Sequence, residues 1–151
     1  MKKLIDVTQE YIDTATPDDG RILYENGYNH NTHDEGISMA TWIIENLGGD
    51  IILLAENGGT FGAKRSDYEW KGRYWELKTV KSDRSVDSAL RKAISQIYER
   101  PGGVILDFGK NSVRLPQIEA AVKSRLESSC RFKMDVIIII SGKLQKVLRF
   151  E

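Results

Sequence analysis

Two carboxylates and an amine stand close together in the stretch Ser66-Asp67-Tyr68-Glu69-Trp70-Lys71-Gly72-Arg73-Tyr74-Trp75-Glu76-Leu77-Lys78-Thr79-Val80. Side chains of a strand alternate between its two faces. If residues 66–70 and 73–80 are strands joined by Lys71-Gly72, Tyr68 and Trp70 share one face of the first, and Trp75 and Leu77 share one face of the second. Burying each of these large apolar groups is worth roughly 1.5–3 kcal/mol. Both sets therefore turn to the covered side, and the register follows, since a slip by one residue would turn one set outward. With a two-residue turn, Asp67 then faces Glu76 and Glu69 faces Tyr74, opposed β carbons lying about 4.5–5.5 Å apart. Lys78 follows on the face of Glu76, about 7 Å further along the strand.

Opposed carboxylates repel, so the pair requires a divalent cation, a shared proton or open solvent. Mg²⁺ is commonly held by one or two carboxylates, with water and phosphate oxygens completing its shell. A lysine beside it orients an attacking water or neutralises charge on a phosphate. Asp67, Glu76 and Lys78 thus make a compact set for phosphodiester cleavage, with Asp67 and Glu76 as metal ligands. An amphipathic hairpin with one wet face accounts for the same alternation with no chemistry at all.

Further candidates surround this hairpin. Glu35 is a candidate third metal carboxylate, although an acid in the first turn of a helix is also favoured by the macrodipole. His30 and His33 are candidates for a general base or a ligand, set against a role as exposed or capping residues in an Asn-rich segment. Gly58-Gly59-x-x-Gly62 lacks the strand-loop-helix setting of a nucleotide-binding loop and reads as a loop beside the site. Lys64, Arg65, Lys71, Arg73, Lys81 and Arg84 flank the hairpin and are expected to contact backbone phosphates. Trp70 and Trp75 are expected in the core rather than as base-stacking platforms.

The charge distribution points the same way. Lys and Arg balance Asp and Glu at 22 each. Residues 1–59, however, hold 3 basic against 11 acidic groups (net −8), and residues 60–151 hold 19 against 11 (net +8). A polyanion is drawn to the later region, whereas interspersed surface charge for solubility is the plain alternative. At 151 residues, 40% hydrophobic and 29% charged, the chain has the length and composition of one globular domain. Apolar runs are too short to span a bilayer. The Met-Lys-Lys-Leu-Ile start meets Asp6 and Gln9 before any signal-like apolar region forms. The single Cys130 cannot form an internal disulfide; at a helix end among Ser128, Ser129 and Arg131 it reads as structural filler in a reducing, cytoplasmic setting.

The elements that must position these residues follow from periodicity. Residues 1–33 read as an N-terminal preamble packed on the domain, with an amphipathic piece at 4–11 and a turn at Pro17-Asp18-Asp19-Gly20. Residues 34–151 read as the functional domain. A helix from about 32–34 carries Ile37, Ala40, Ile44 and Leu47 and ends at Gly48-Gly49. Strands are expected at 50–55, 66–70 and 73–80, then a helix from Ser85 with Val86, Leu90, Ala93, Ile94 and Ile97 on one stripe, broken by Pro101-Gly102-Gly103. A strand at 104–108, a helix opened by Pro116, a strand at 135–140 covered on both faces and an edge strand at 144–150 complete the chain. The order αβββαβαββ implies a single α/β domain with a mixed sheet and flanking helices.

Asp67 with Glu76-Leu77-Lys78, after a helix bearing Glu35, resembles the PD-(D/E)xK nuclease pattern. That resemblance implies an αβββαβ core using carboxylates, a lysine and a divalent metal. Ser66 stands where the pattern has proline, and Gln96 in Ala93-Ile94-Ser95-Gln96 resembles the glutamine that some members carry on the following helix. Over residues 34–150 the chain also resembles C-terminal nuclease domains of contact-dependent growth inhibition and related polymorphic toxins. This rests on Asp34-Glu35, Ser66-Asp67-Tyr68, Trp75-Glu76-Leu77-Lys78-Thr79, Ala93-x-x-Gln96, Val104-Ile105-Leu106-Asp107 and a closing β-hairpin. It implies RNA, tRNA included, as a substrate favoured over DNA, and an immunity protein as a possible partner. Part of that group has a barnase/EndoU/colicin/RelE-like fold that needs no metal. In that case Lys78, Thr79 and His30 or His33 matter more than Asp67. A non-catalytic nucleic-acid-binding or mobile-element accessory domain is the alternative outside enzymes.

Overall fold

A computed structural model describes residues 2–30, 34–56 and 65–151. Eight strands form one mixed sheet: β1 (Leu4–Asp6), β2 (Ile22–Tyr24), β3 (Ile51–Leu53), β4 (Tyr68–Trp70), β5 (Arg73–Thr79), β6 (Pro101–Asp107), β7 (Met134–Ile140) and β8 (Lys143–Phe150). Their order across the sheet is β1-β8-β7-β6-β5-β4-β3-β2. The contacts β5–β6, β6–β7 and β2–β3 are parallel, and the others are antiparallel. Among the described residues four helices cover it: α1 (Thr8–Thr14), α2 (Asp34–Asn46), α3 (Val86–Ile97) and α4 (Leu115–Ser129). From α2 onward the order is the αβββαβαββ read from periodicity.

Both faces of the sheet are buried, which is why β7 is a run of β-branched residues rather than an alternating one. On one face Val104, Leu106, Val136 and Ile138 meet the stripes of α3 (Val86, Leu90, Ala93, Ile97) and α4 (Ile118, Val122, Leu126). On the other, Tyr68, Trp70, Trp75, Ile105 and Ile137 meet Met39, Ala40 and Ile43 of α2 and Tyr11 of α1. Trp70 and Trp75 are core, their rings edge-on with centroids 5.0 Å apart. Lys71 and Gly72 turn the hairpin with φ of 56° and 73°, the left-handed pair that suits the twist of the strands it joins. The Lys71 ammonium lies 4.4 Å from the Trp70 ring centroid and 4.9 Å from that of Tyr11, and desolvation there pushes its pKa down.

Two expectations are corrected. Pro101-Gly102-Gly103 does not merely break α3; these residues begin β6. A β carbon on Gly102 would meet the Trp75 indole nitrogen at 2.3 Å, and one on Gly103 the Asp135 carbonyl oxygen at 2.0 Å. The glycines let β6 pass the tryptophan, where the β5–β6 register shifts between Tyr74 and Trp75. The last strand is not an edge: β8 runs between β7 and β1, with Leu4 opposite Phe150 and Asp6 opposite Leu148. Residues 4–6 and 22–24, within the stretch read as a preamble, form the two outer strands of the sheet. Cys130 is buried at the end of α4, where burial pushes its thiol up. Among the described residues, no helix is long and apolar enough to cross a membrane.

Candidate active site on the β4–β5 hairpin

Tyr68 pairs with Trp75, Glu69 with Tyr74 and Trp70 with Arg73, the register the aromatic faces require. One step outward, Asp67 and Glu76 meet and hold each other's strand. The Asp67 amide donates to Glu76 Oε1 at 3.0 Å, and the Leu77 amide donates to Asp67 Oδ2 at 2.8 Å. Lys78 Nζ lies 3.2 Å from Glu76 Oε2. This face is not wet. It is the face that α3 covers, and Glu76 is only 4% exposed. Burial, and then the negative charge and hydrogen bond of Asp67, push Glu76 up to about 9, while Lys78 pulls the other way. Near neutral pH the pair is therefore relieved by a proton on Glu76. A divalent cation relieves it more fully, because one ion neutralises both carboxylates.

Gln96 reaches this place from α3. Its Nε2 donates to the Arg65 carbonyl at 3.4 Å, while Gln96 Oε1 and Ser66 Oγ are buried with no partner among the described residues. Buried polar atoms are nearly always satisfied; these two, one on the residue before Asp67 and one on α3, are exceptions. The donor set, two hard carboxylates, suits a hard divalent cation.

The other candidates are spread over the fold. Glu35 is exposed on α2, and among the described residues no three His, Cys, Asp or Glu side chains gather into a metal-binding group, so Glu35 does not join the pair. Thr79 is exposed at the end of β5, opposite Asp107. Lys81 and Arg84 lie just beyond that end, both exposed to at least some degree. Arg73 begins β5, about 17 Å from Lys78 at the usual rise per residue. Arg73 and Lys71 line a cleft of about 250 Å³ together with Trp75, Asp135 and Arg149. There Arg149 holds Asp135 at 2.8 Å and Glu10 at 2.7 Å, and Asp135 accepts a hydrogen bond from the Tyr11 hydroxyl. Arg65 is not a free cation: it donates to both oxygens of Glu25 and to the Ala55 carbonyl at 3.1 Å. His30 is exposed against the rings of Tyr24 and Tyr28. His33, Lys64 and the 58–62 glycine loop lie outside the described residues.

Sequence reasoning missed the Glu25–Arg65 clamp, whose members are 40 positions apart with nothing local to join them. It gave Ser66 no role in the site; a small polar residue directly before a carboxylate was the available signal.

This fold has a solved counterpart. One chain of the CdiA-CT/CdiI toxin and immunity complex from Burkholderia pseudomallei aligns with TM-score 0.50 at 17% identity, covering 84% of this chain and 98% of that one. The likeness is one of fold, and it spans nearly all of the counterpart. No family model and no curated protein matches the sequence.

Proposed function

We propose that the chain is a nuclease of the contact-dependent growth inhibition type, cutting phosphodiester bonds at the Asp67–Glu76–Lys78 cluster. The observation that carries the reading is two opposed carboxylates on a buried face with a lysine 3.2 Å away. Burying such a face costs folding free energy, and carboxyl groups perturbed in this way cluster at functional sites. Asp67 and Glu76 would hold a divalent cation such as Mg²⁺, which supplies Lewis acidity toward a phosphate oxygen and an acidified water. Lys78 donates to negative charge developing on the phosphate, from a position that Glu76 fixes. Gln96 Oε1, buried with no partner among the described residues, would accept a hydrogen bond from a water and so orient it. The resemblance to toxin nuclease domains supports RNA, tRNA included, over DNA as substrate. The structural counterpart comes from a toxin and immunity complex, which supports an immunity protein as partner.

Purified chain is incubated with total RNA and with plasmid DNA, with and without Mg²⁺. Cleavage that needs Mg²⁺, and that falls at least about 100-fold in both Glu76→Gln and Lys78→Ala without loss of fold, is expected. Full cleavage by both variants excludes the mechanism. The protonated Glu76 favours one second reading, in which it serves as general acid in metal-free RNA cleavage by 2′-hydroxyl attack. Activity that persists in EDTA and leaves cyclic phosphate ends selects it.

A further inference from the structure

The cleft at the tip of the β4–β5 hairpin lies apart from the carboxylate pair. Arg73 and Trp75, two residues apart, share a face of β5, and Trp75 packs there with Tyr11 and Trp70. Glu76 and Lys78 alternate with them onto the opposite face, further along the same strand.

The acids of this cleft are satisfied, and two of its cations are not. Asp135 Oδ1 accepts from Arg149 Nε at 2.8 Å, and Asp135 Oδ2 accepts from Arg149 Nη2 at 3.0 Å and from the Tyr11 hydroxyl. Both Glu10 oxygens also accept from Arg149, at 3.1 and 2.7 Å. Lys133 reaches Glu151 at 3.2 Å. Lys71 and Arg73 line the same cleft, yet among the described residues neither side chain has a carboxylate or a hydrogen-bond acceptor. The Lys71 ammonium is instead held over the Trp70 and Tyr11 rings, which places it without giving its N–H groups an acceptor.

The wall of the cleft is irregular as well. Tyr74 pairs with Pro101 and Trp75 with Gly103, so Gly102 is an extra residue, with no partner on β5 and none on β7. Such bulges are rare between parallel strands and gather beside functional sites. Pro101 and Gly102 both line the cleft, so this wall carries no long side chain to fill it.

We propose that the cleft binds a small phosphomonoester, with Lys71 and Arg73 holding its phosphate. A phosphomonoester carries close to two negative charges near neutral pH, which the two unpaired cations match, and a guanidinium fork fits its oxygens. A carboxylate or a backbone phosphodiester carries one. At about 250 Å³ the cleft falls just below the roughly 300–1,000 Å³ of ordinary small-molecule sites, which leaves room for a phosphate and a short body such as a sugar. An anion there also offsets the desolvation that pushes the Lys71 pKa down. The site uses none of the groups assigned to cleavage, so it stands or falls apart from the nuclease reading.

Isothermal titration calorimetry at low ionic strength, where screening is weak, tests this with ribose 5-phosphate and with dimethyl phosphate, a diester. The proteins are wild type, Lys71→Gln and Arg73→Gln, both at exposed positions, with melting in the absence of ligand as the check on folding. Wild type is expected to bind ribose 5-phosphate, and dimethyl phosphate at least about 10-fold more weakly for want of the second charge. Each variant is expected to weaken ribose 5-phosphate binding roughly 5- to 50-fold, as loss of one charge-assisted contact requires. No binding of ribose 5-phosphate by wild type overturns the proposal. Equal affinity for the diester overturns it in favour of a contact for backbone phosphates. Undiminished binding in both folded variants puts the phosphate elsewhere and overturns it too.

Discussion

Glu76 is where stability and function pull apart. Its carboxyl is held up to about 9 by burial and by Asp67. Below its ordinary range both the folded and the unfolded chain carry the proton, and the group costs nothing. As pH rises the unfolded chain ionises first, so the folded state loses stability until Glu76 itself ionises near 9. By neutral pH the loss is on the order of 3 kcal/mol, at about 1.36 kcal/mol per pH unit. Glu76→Gln removes the titration while keeping the shape. Relative to wild type it is expected to melt higher near pH 8, with the difference shrinking toward about pH 5. Thermal unfolding at the two pH values checks this; a difference independent of pH would mean that the carboxyl is solvated. A divalent cation that binds the pair stabilises wild type by mass action and leaves Glu76→Gln largely unmoved.

At the scale of elements, the β5–β6 contact is the tightest constraint on the hairpin. Gly103 packs its α carbon against the Asp135 carbonyl and the Trp75 ring, and a β carbon added there would stand 2.0 and 2.7 Å from them. Backbone cannot yield as a side-chain tip can, so Gly103→Ala is expected to cost about 3 kcal/mol or more by overpacking. Gly72 offers a control: its φ is +73° but nothing lies within 4 Å, so alanine there costs only the left-handed backbone, about 1–2 kcal/mol. Chemical denaturation of the two variants separates steric from conformational cost. Equal losses would mean that the sheet gives way at β6. Because Trp75 precedes Glu76, a shift of β5 at Gly103 would also disturb the carboxylate pair.

For the whole molecule, the edges of the sheet matter. Both outer strands, β1 and β2, are three residues long, and short edges resist pairing with other chains. Removing residues 1–6 uncovers β8, which spans eight residues. The truncated chain is expected to lose on the order of 1–3 kcal/mol and to self-associate through the bared edge. Size-exclusion chromatography and melting check both parts, and a monomer of unchanged stability would show β1 to be dispensable. Charge also changes meaning at this scale. The −8 of residues 1–59 and the +8 of residues 60–151 do not lie apart in space. Asp6 pairs with Lys146, Glu10 with Arg149 and Glu25 with Arg65 across the fold. Part of the apparent basic field for a polyanion is thus spent internally, while Lys81 and Arg84 stay exposed just beyond β5.

Whatever depends on neighbours along the chain could be read from the residues alone. The order of elements from α2 to β8 followed from periodicity and turn residues. The opposition of Asp67 and Glu76 followed from a two-residue turn and from which side four aromatic and aliphatic groups must bury. Local sterics and alternation are written into short stretches, so they are legible there. Features that depend on distant partners had to wait for the packed fold. Packing set α3 over the charged face of the hairpin and so turned a candidate wet surface into a buried, proton-holding pair. It also joined Glu25 to Arg65, inserted β8 between β7 and β1, and separated Arg73 from Lys78 along one strand. Burial is a property of what lands on a surface, and that is settled only when helices and strands far apart in sequence pack together.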